Sequence, residues 1–313
     1  METVLKVNNI SKRYGQQFAL HNLSLTIQKG DIYGLIGRNG AGKTTLLKLI
    51  TRLIFASDGS IALFGSESDS EWTKSLSRTG AVIETPVAYD NLTAVQNLEY
   101  YCKLRGIPDS KHIIKETLEL VDLTDTGKKK FKTFSLGMKQ KMGIAIAILS
   151  RPDFLILDEP INGLDPIAIS EFRKLILRLN HEQKMTIIIS SHILSELYQV
   201  ATHFGIINQG ELVKEISKEE FDALSEEYIV LKTGEIEQAS QILREKLSYP
   251  FKVVSQDQIN VFGKNHQIAE INMALAREGI TINEIYYFKQ DLETYFTHLI
   301  AGDKPAQEGE QHD

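Results

Sequence analysis

One stretch limits what this chain can fold into more than any other: Gly37-Arg38-Asn39-Gly40-Ala41-Gly42-Lys43-Thr44. It follows an apolar run, Ile32-Tyr33-Gly34-Leu35-Ile36, and opens a helical pattern of Leu46, Leu47, Leu49, Ile50 and Leu53. In such a strand–loop–helix, glycines let backbone N–H groups close around a phosphate, and the helix N-terminus adds partial positive charge. At average composition, about one random chain of this length in a hundred would contain the string by chance. The strand before it and the helix after it make chance far rarer. Gly37, Arg38, Asn39, Gly40, Ala41, Gly42, Lys43, Thr44 and Thr45 are therefore candidate phosphate-binding residues. Lys43 is expected to reach the β- and γ-phosphates, and the Thr44 hydroxyl to ligate Mg²⁺.

The rest of the first two thirds reads as α/β. Val4 to Val7 opens a strand, and Leu23, Leu25 and Ile27 alternate with polar residues on a second one. Residues 90–150 are mostly helical, with a break at Gly106-Ile107-Pro108. Phe154 to Leu157 and Thr186 to Ile189 are apolar strands separated by a helix from Pro166 to about Leu179. Strands separated by helices imply a mainly parallel sheet. After about residue 216 the pattern changes. Tyr228–Leu231, Ile236–Leu247, Phe251–Val254, Gln258–Phe262, Ile268–Ala276, Thr281–Phe288 and Leu292–Ile300 read as β-α-β-β-α-β plus a final helix. That order is the ferredoxin-like unit. The expected division is 1–216, a small α+β domain over 217–300, and a polar, disordered tail over 301–313.

Phe154-Leu155-Ile156-Leu157 ends in adjacent carboxylates, Asp158 and Glu159. Neighbours on a strand point to opposite faces, so different jobs are expected. Asp158 would hold Mg²⁺ or its water, and Glu159 would orient the attacking water as a general base.

Two further pieces carry a family resemblance. Phe134-Ser135-Leu136-Gly137-Met138-Lys139-Gln140-Lys141 resembles the signature motif of ATP-binding-cassette (ABC) proteins. Ile161-Asn162-Gly163-Leu164-Asp165 resembles their D-loop, and Ser190-Ser191-His192 their switch histidine. The resemblance covers residues 1–216 and implies an ABC-type P-loop α/β nucleotide-binding domain, a mainly parallel sheet with an antiparallel β part and a helical subdomain, that hydrolyses ATP with Mg²⁺. It implies a head-to-tail pair of such domains sandwiching two nucleotides, with Ser135 and Gly137 of one contacting the γ-phosphate held by the other. Tyr14 falls where the family stacks an aromatic ring on adenine, Asp165 lies in the D-loop, and His192 is the γ-phosphate sensor. Glu84 stands where the family has a glutamine that touches Mg²⁺ and communicates with the membrane partner. Leu136 and Met138 depart from the usual Gly and Gln. Together with Asp291 to Phe296, these departures resemble the ATPase subunits of bacitracin export and lantibiotic immunity.

That resemblance implies an ATPase that powers a separate transmembrane permease, as a homodimer on the cytoplasmic face of the membrane. Composition agrees with the expectation of a peripheral protein. The longest apolar runs fall far short of the ~20 residues of a membrane span, no secretory signal is visible, and the single Cys102 suits a reducing compartment. A net charge of −6 argues against nucleic acid as the partner. The alternative is a soluble ABC ATPase acting on nucleic acid or ribosomes. It would be expected to carry two cassettes or a long coiled coil.

Overall fold

The computed structural model describes residues 2–67, 69–224, 227–262 and 267–289. The chain divides into two compact units, Met1–Lys218 and Glu219–Asp313.

The first unit opens with two long strands, β1 (Thr3–Tyr14) and β2 (Gln17–Gln28). Along β2 the alternating Leu23, Leu25 and Ile27 are all buried, as a one-sided strand requires. β3 (Ile32–Ile36) follows and is buried along its whole length. It leads through the glycine loop into α1 (Lys43–Ile50). The helix is shorter than the leucine pattern predicts. Arg52 has a left-handed backbone (φ 54), which stops the helix and leaves Leu53 exposed. β4 (Asp58–Leu63), α2 (Asp69–Ser77) and β5 (Thr79–Val82) come next, then the helices α3 (Ala94–Leu104), α4 (Ser110–Leu120) and α5 (Leu136–Ile148). The chain returns through β6 (Phe154–Leu157), α6 (Pro166–His181), β7 (Thr186–Ser191), α7 (Leu194–Tyr198), β8 (His203–Asn208) and β9 (Glu211–Ser217).

Two sheets form in this unit. β2-β1-β4 is antiparallel, and β5-β6-β7-β3-β8-β9 is parallel except for its last strand. β3, β6 and β7 are buried along their full length, which is why each reads as an unbroken apolar run. Their order matters for function. β3 lies beside β7, and β7 beside β6, so the three segments that follow these strands emerge together at one edge.

The second unit begins with α8 (Lys218–Leu224) and continues as β10 (Glu227–Lys232), α9 (Ile236–Glu245), β11 (Phe251–Val253), β12 (Gln258–Val261), α10 (Ile268–Arg277) and β13 (Glu284–Lys289). Its sheet order is β11-β12-β10-β13, every pair antiparallel, which is the ferredoxin-like topology expected from the element order. Ile229, Leu231, Leu243, Ile259, Val261, Ile271 and Leu275 give it a core of its own. The expected final helix Leu292–Ile300, the tail and the Asp291–Phe296 match lie outside the described residues.

Asn97 on α3 is fully buried and ties down the segment before its helix. Its amide oxygen accepts from Tyr89 N at 2.7 Å, and its Nδ2 donates to Tyr89 O at 3.2 Å and Thr93 O at 3.1 Å. Asn97→Ala should therefore cost about 1–3 kcal/mol, the usual penalty for stranding such partners. A thermal melt indistinguishable from the parent's would show that this segment is held by other contacts.

Candidate functional site

The glycine loop is pinned before any ligand is considered. Gly37 N–H donates to Ser191 O, Ala41 N–H to Arg38 O, and Gly210 N–H to Ala41 O. Gly42 caps α1 in a left-handed conformation (φ 111), and a Cβ there would lie 2.7 Å from Ala19 O. Only glycine satisfies both demands. Arg38, Asn39 and Gly40 are exposed at the tip, Thr44 and Thr45 are half-buried, and Lys43 is 5% exposed. The buried ammonium is fully engaged. Lys43 Nζ donates to Gly37 O at 2.6 Å and Arg38 O at 3.2 Å, and it sits 3.1 Å from Glu159 Oε1.

Both carboxylates after β6 reach this loop, which the strand rule did not anticipate. β6 stops at Leu157 and Glu159 takes a left-handed backbone (φ 46), so the alternation of faces ends before the pair. Asp158 N–H donates to Val82 O, while its carboxylate accepts from Thr44 Oγ1 at 2.8 Å and Ser190 Oγ at 2.6 Å. The same Ser190 oxygen accepts from Glu159 N–H at 2.8 Å. Glu159 Oε2 lies 2.8 Å from His192 Nδ1. One Glu159 oxygen therefore faces Lys43 and the other faces His192. The strained backbone is of the kind that persists where the surroundings over-determine it.

Thr44 and Asp158 offer hard oxygen donors 2.8 Å apart, the chemistry a small divalent cation prefers when substrate phosphates complete its shell. Among the described residues, no cluster of three or more His, Cys, Asp or Glu side chains could hold a metal alone.

Glu84 is placed differently. It follows β5, has a left-handed backbone (φ 65), and its carboxylate pairs with Lys48 Nζ at 2.5 Å. Tyr14 ends β1 with its ring about half exposed and the Lys12 ammonium 5.1 Å from its centroid. Ser135, Gly137 and Asp165 form a separate group at the starts of α5 and α6. Ser135 Oγ caps α5 by accepting from Met138 N, and Asp165 caps α6 by accepting from Ala168 N at 2.8 Å. Gly137 packs against Ala168 and Leu164. Leu136 also meets the segment before α6: a Cβ on Gly163 (φ 77) would lie 3.2 Å from Leu136 Cδ2.

Reading the sequence residue by residue missed Ser190, Lys48 and the Leu136–Gly163 contact. Ser190 had a signal, a hydroxyl at the end of an apolar strand beside the carboxylate strand. Lys48 had one too, as the cation one helical turn after Thr44.

The fold and this network define an α/β cassette for nucleoside triphosphates. Residues 20–162 match the ABC transporter family. The bacitracin transport ATP-binding protein BcrA of Enterococcus faecalis is 41% identical over 302 residues, covering 96% of this chain and 98% of that one. The lantibiotic transport ATP-binding protein SrtF of Streptococcus pyogenes is 44% identical over 213 residues, 68% of this chain and 90% of that one. Among solved structures, an ATP-binding subunit of an ABC transporter is 31% identical, with a TM-score of 0.61 over 69% of this chain and 90% of that one. A dimeric ATP-binding cassette bound to ADP and Pi shares the fold at 24% identity, with a TM-score of 0.60 over 68% of this chain and 98% of that one. The chain belongs to the ABC transporter family, as one of its ATP-binding subunits, and it is an ATPase.

The Leu136–Gly163 fit is testable. Gly163→Ala should cost about 1–3 kcal/mol through backbone strain and crowding, and adding Leu136→Ala should recover part of that loss in a thermal melt. A double variant no more stable than Gly163→Ala would show that the two loops are not packed together.

Proposed function

We propose that this chain hydrolyses Mg²⁺-ATP to drive a separate membrane-spanning subunit that exports a peptide antibiotic of the bacitracin or lantibiotic kind. One observation carries the chemistry: Glu159 is held between Lys43 and His192 while Asp158 is held between Thr44 and Ser190. Lys43 and the loop amides grip the phosphates, the helix N-terminus adding partial positive charge. Thr44 and Asp158 would hold Mg²⁺, which would supply charge neutralisation on the phosphate oxygens. Glu159 accepts a proton from the attacking water, and His192 orients the Glu159 carboxylate and senses the γ-phosphate. Tyr14 stacks on the adenine.

Ser135, Gly137 and Asp165 lie at the starts of α5 and α6, where the helix N-termini carry partial positive charge. We assign them to the γ-phosphate held by a second copy, in a head-to-tail homodimer. The cargo class rests on the near end-to-end match to a bacitracin transport subunit, which also sets aside a role on nucleic acid or ribosomes. Among the described residues, no helix is long and apolar enough to cross a membrane, so the path for cargo belongs to a partner. The exposed Val87, Tyr89, Tyr100 and Leu104, beside the segment pinned by Asn97, form the surface that receives that partner at the cytoplasmic face. We assign the chemistry to residues 1–216. Residues 217–300 regulate or stabilise the dimer.

Glu159→Gln removes the base and keeps the binding groups. It should lower hydrolysis by roughly 10²–10⁴ and accumulate an ATP-bound dimer on size exclusion. Hydrolysis at the parental rate would remove Glu159 from the role of base. Lys43→Ala should instead abolish tight nucleotide binding in a fluorescence titration, and unchanged affinity would contradict the phosphate cradle.

A further inference from the structure

Glu84 stands beside a site already crowded with negative charge. It follows β5, whose Val82 carbonyl accepts from Asp158 N–H, and its carboxylate would add to those of Asp158, Glu159 and a bound triphosphate. The structure answers this crowding with Lys48. Lys48 lies on α1 one turn beyond Thr44, and its ammonium meets Glu84 Oε1 at 2.5 Å. The hydrogen bond to Glu84 holds the Lys48 ammonium above its ordinary value against a small loss from burial, and the charges of Glu84, Tyr14 and Asp158 reinforce it. Lys48 is thus in the field of both carboxylates, Glu84, which accepts its hydrogen bond, and Asp158, a metal-ligand candidate.

We propose that Lys48 is a positioning residue that holds the Glu84 carboxylate off the metal, so that the divalent cation is taken by Thr44 and Asp158 while Glu84 stays at the loop edge as part of a neutral pair. This rests on the ATPase reading above. The pair contributes little to stability, because both side chains are partly exposed and such ion pairs are weak. Its effect is on where a carboxylate is aimed. The strained backbone of Glu84 (φ 65) points the same way, since it fixes the direction in which the side chain leaves the loop. Without the Lys48 charge, the carboxylate is free to turn toward a cation at Asp158.

The test is nucleotide binding, with no turnover required. A fluorescent ATP analogue is titrated onto the full chain, first without divalent cation and then at rising Mg²⁺, and the Mg²⁺ midpoint is read. Lys48→Met keeps the apolar stem and removes the charge; it should lower that midpoint roughly two- to fivefold, the scale of one partly exposed charge contact. Lys48→Arg should keep the parental midpoint. Glu84→Gln added to Lys48→Met should restore the parental midpoint, because the freed carboxylate is gone. A Lys48→Met midpoint equal to the parent's would overturn the proposal, as would a shift that survives Glu84→Gln. If Lys48→Met does not fold, the charge exchange Lys48→Glu with Glu84→Lys takes its place. It should keep the parental midpoint, and a shifted midpoint in that variant would overturn the proposal. Failure of the parent to bind the analogue at any Mg²⁺ concentration would overturn the ATPase reading and this proposal together.

Discussion

A single buried hydroxyl organises this site. Ser190 Oγ donates to the Asp158 carboxylate and accepts from the Glu159 backbone N–H, so one oxygen fixes two successive acidic residues just beyond a neighbouring strand. Both bonds depend on β7 lying beside β6, and the loop they serve depends on β3 lying beside β7. Buried polar chains of this sort are rigid when every member is satisfied and costly when one is not. The fully buried apolar strands provide the low-dielectric surroundings that strengthen these bonds.

From this network follows a different set of partners for each of two adjacent side chains. The expectation was that a strand would send Asp158 and Glu159 to opposite faces. Instead the chain leaves the strand at Leu157 and strains Glu159 into φ 46, which brings both acids to the N-terminus of α1 with different partners. Asp158 meets hydroxyls, the company of a metal ligand. Glu159 meets an ammonium and an imidazole, the company of a group that must hold negative charge and exchange a proton. The two environments are set by neighbours rather than by strand geometry.

Much of this was legible in the sequence, for identifiable reasons. β3, β6 and β7 are covered on both faces, so each appears as an unbroken apolar run. The glycine loop is legible because Gly42 has no substitute where Ala19 O crosses it. The second unit was legible from alternation alone, down to its β-α-β-β-α-β order. What was hidden depends on contacts distant in sequence. β8 was not read because Gly205, packed against the Tyr33 ring, interrupts its apolar run. Leu53 was drawn into α1 by its spacing, although Arg52 has already turned the chain. The Lys48–Glu84 pair spans 36 residues, and Leu136 lies close against Gly163. No local pattern records either.

The most direct test of the account is a crystal structure of the chain with Mg²⁺ and a non-hydrolysable ATP analogue. The account predicts that Lys43 Nζ leaves Glu159 for the β- and γ-phosphate oxygens, that Thr44 and Asp158 flank the metal, and that Glu159 faces a water in line with the γ-phosphate. A structure in which the nucleotide binds elsewhere, with Lys43 still on Glu159 and Thr44 still on Asp158, would contradict it.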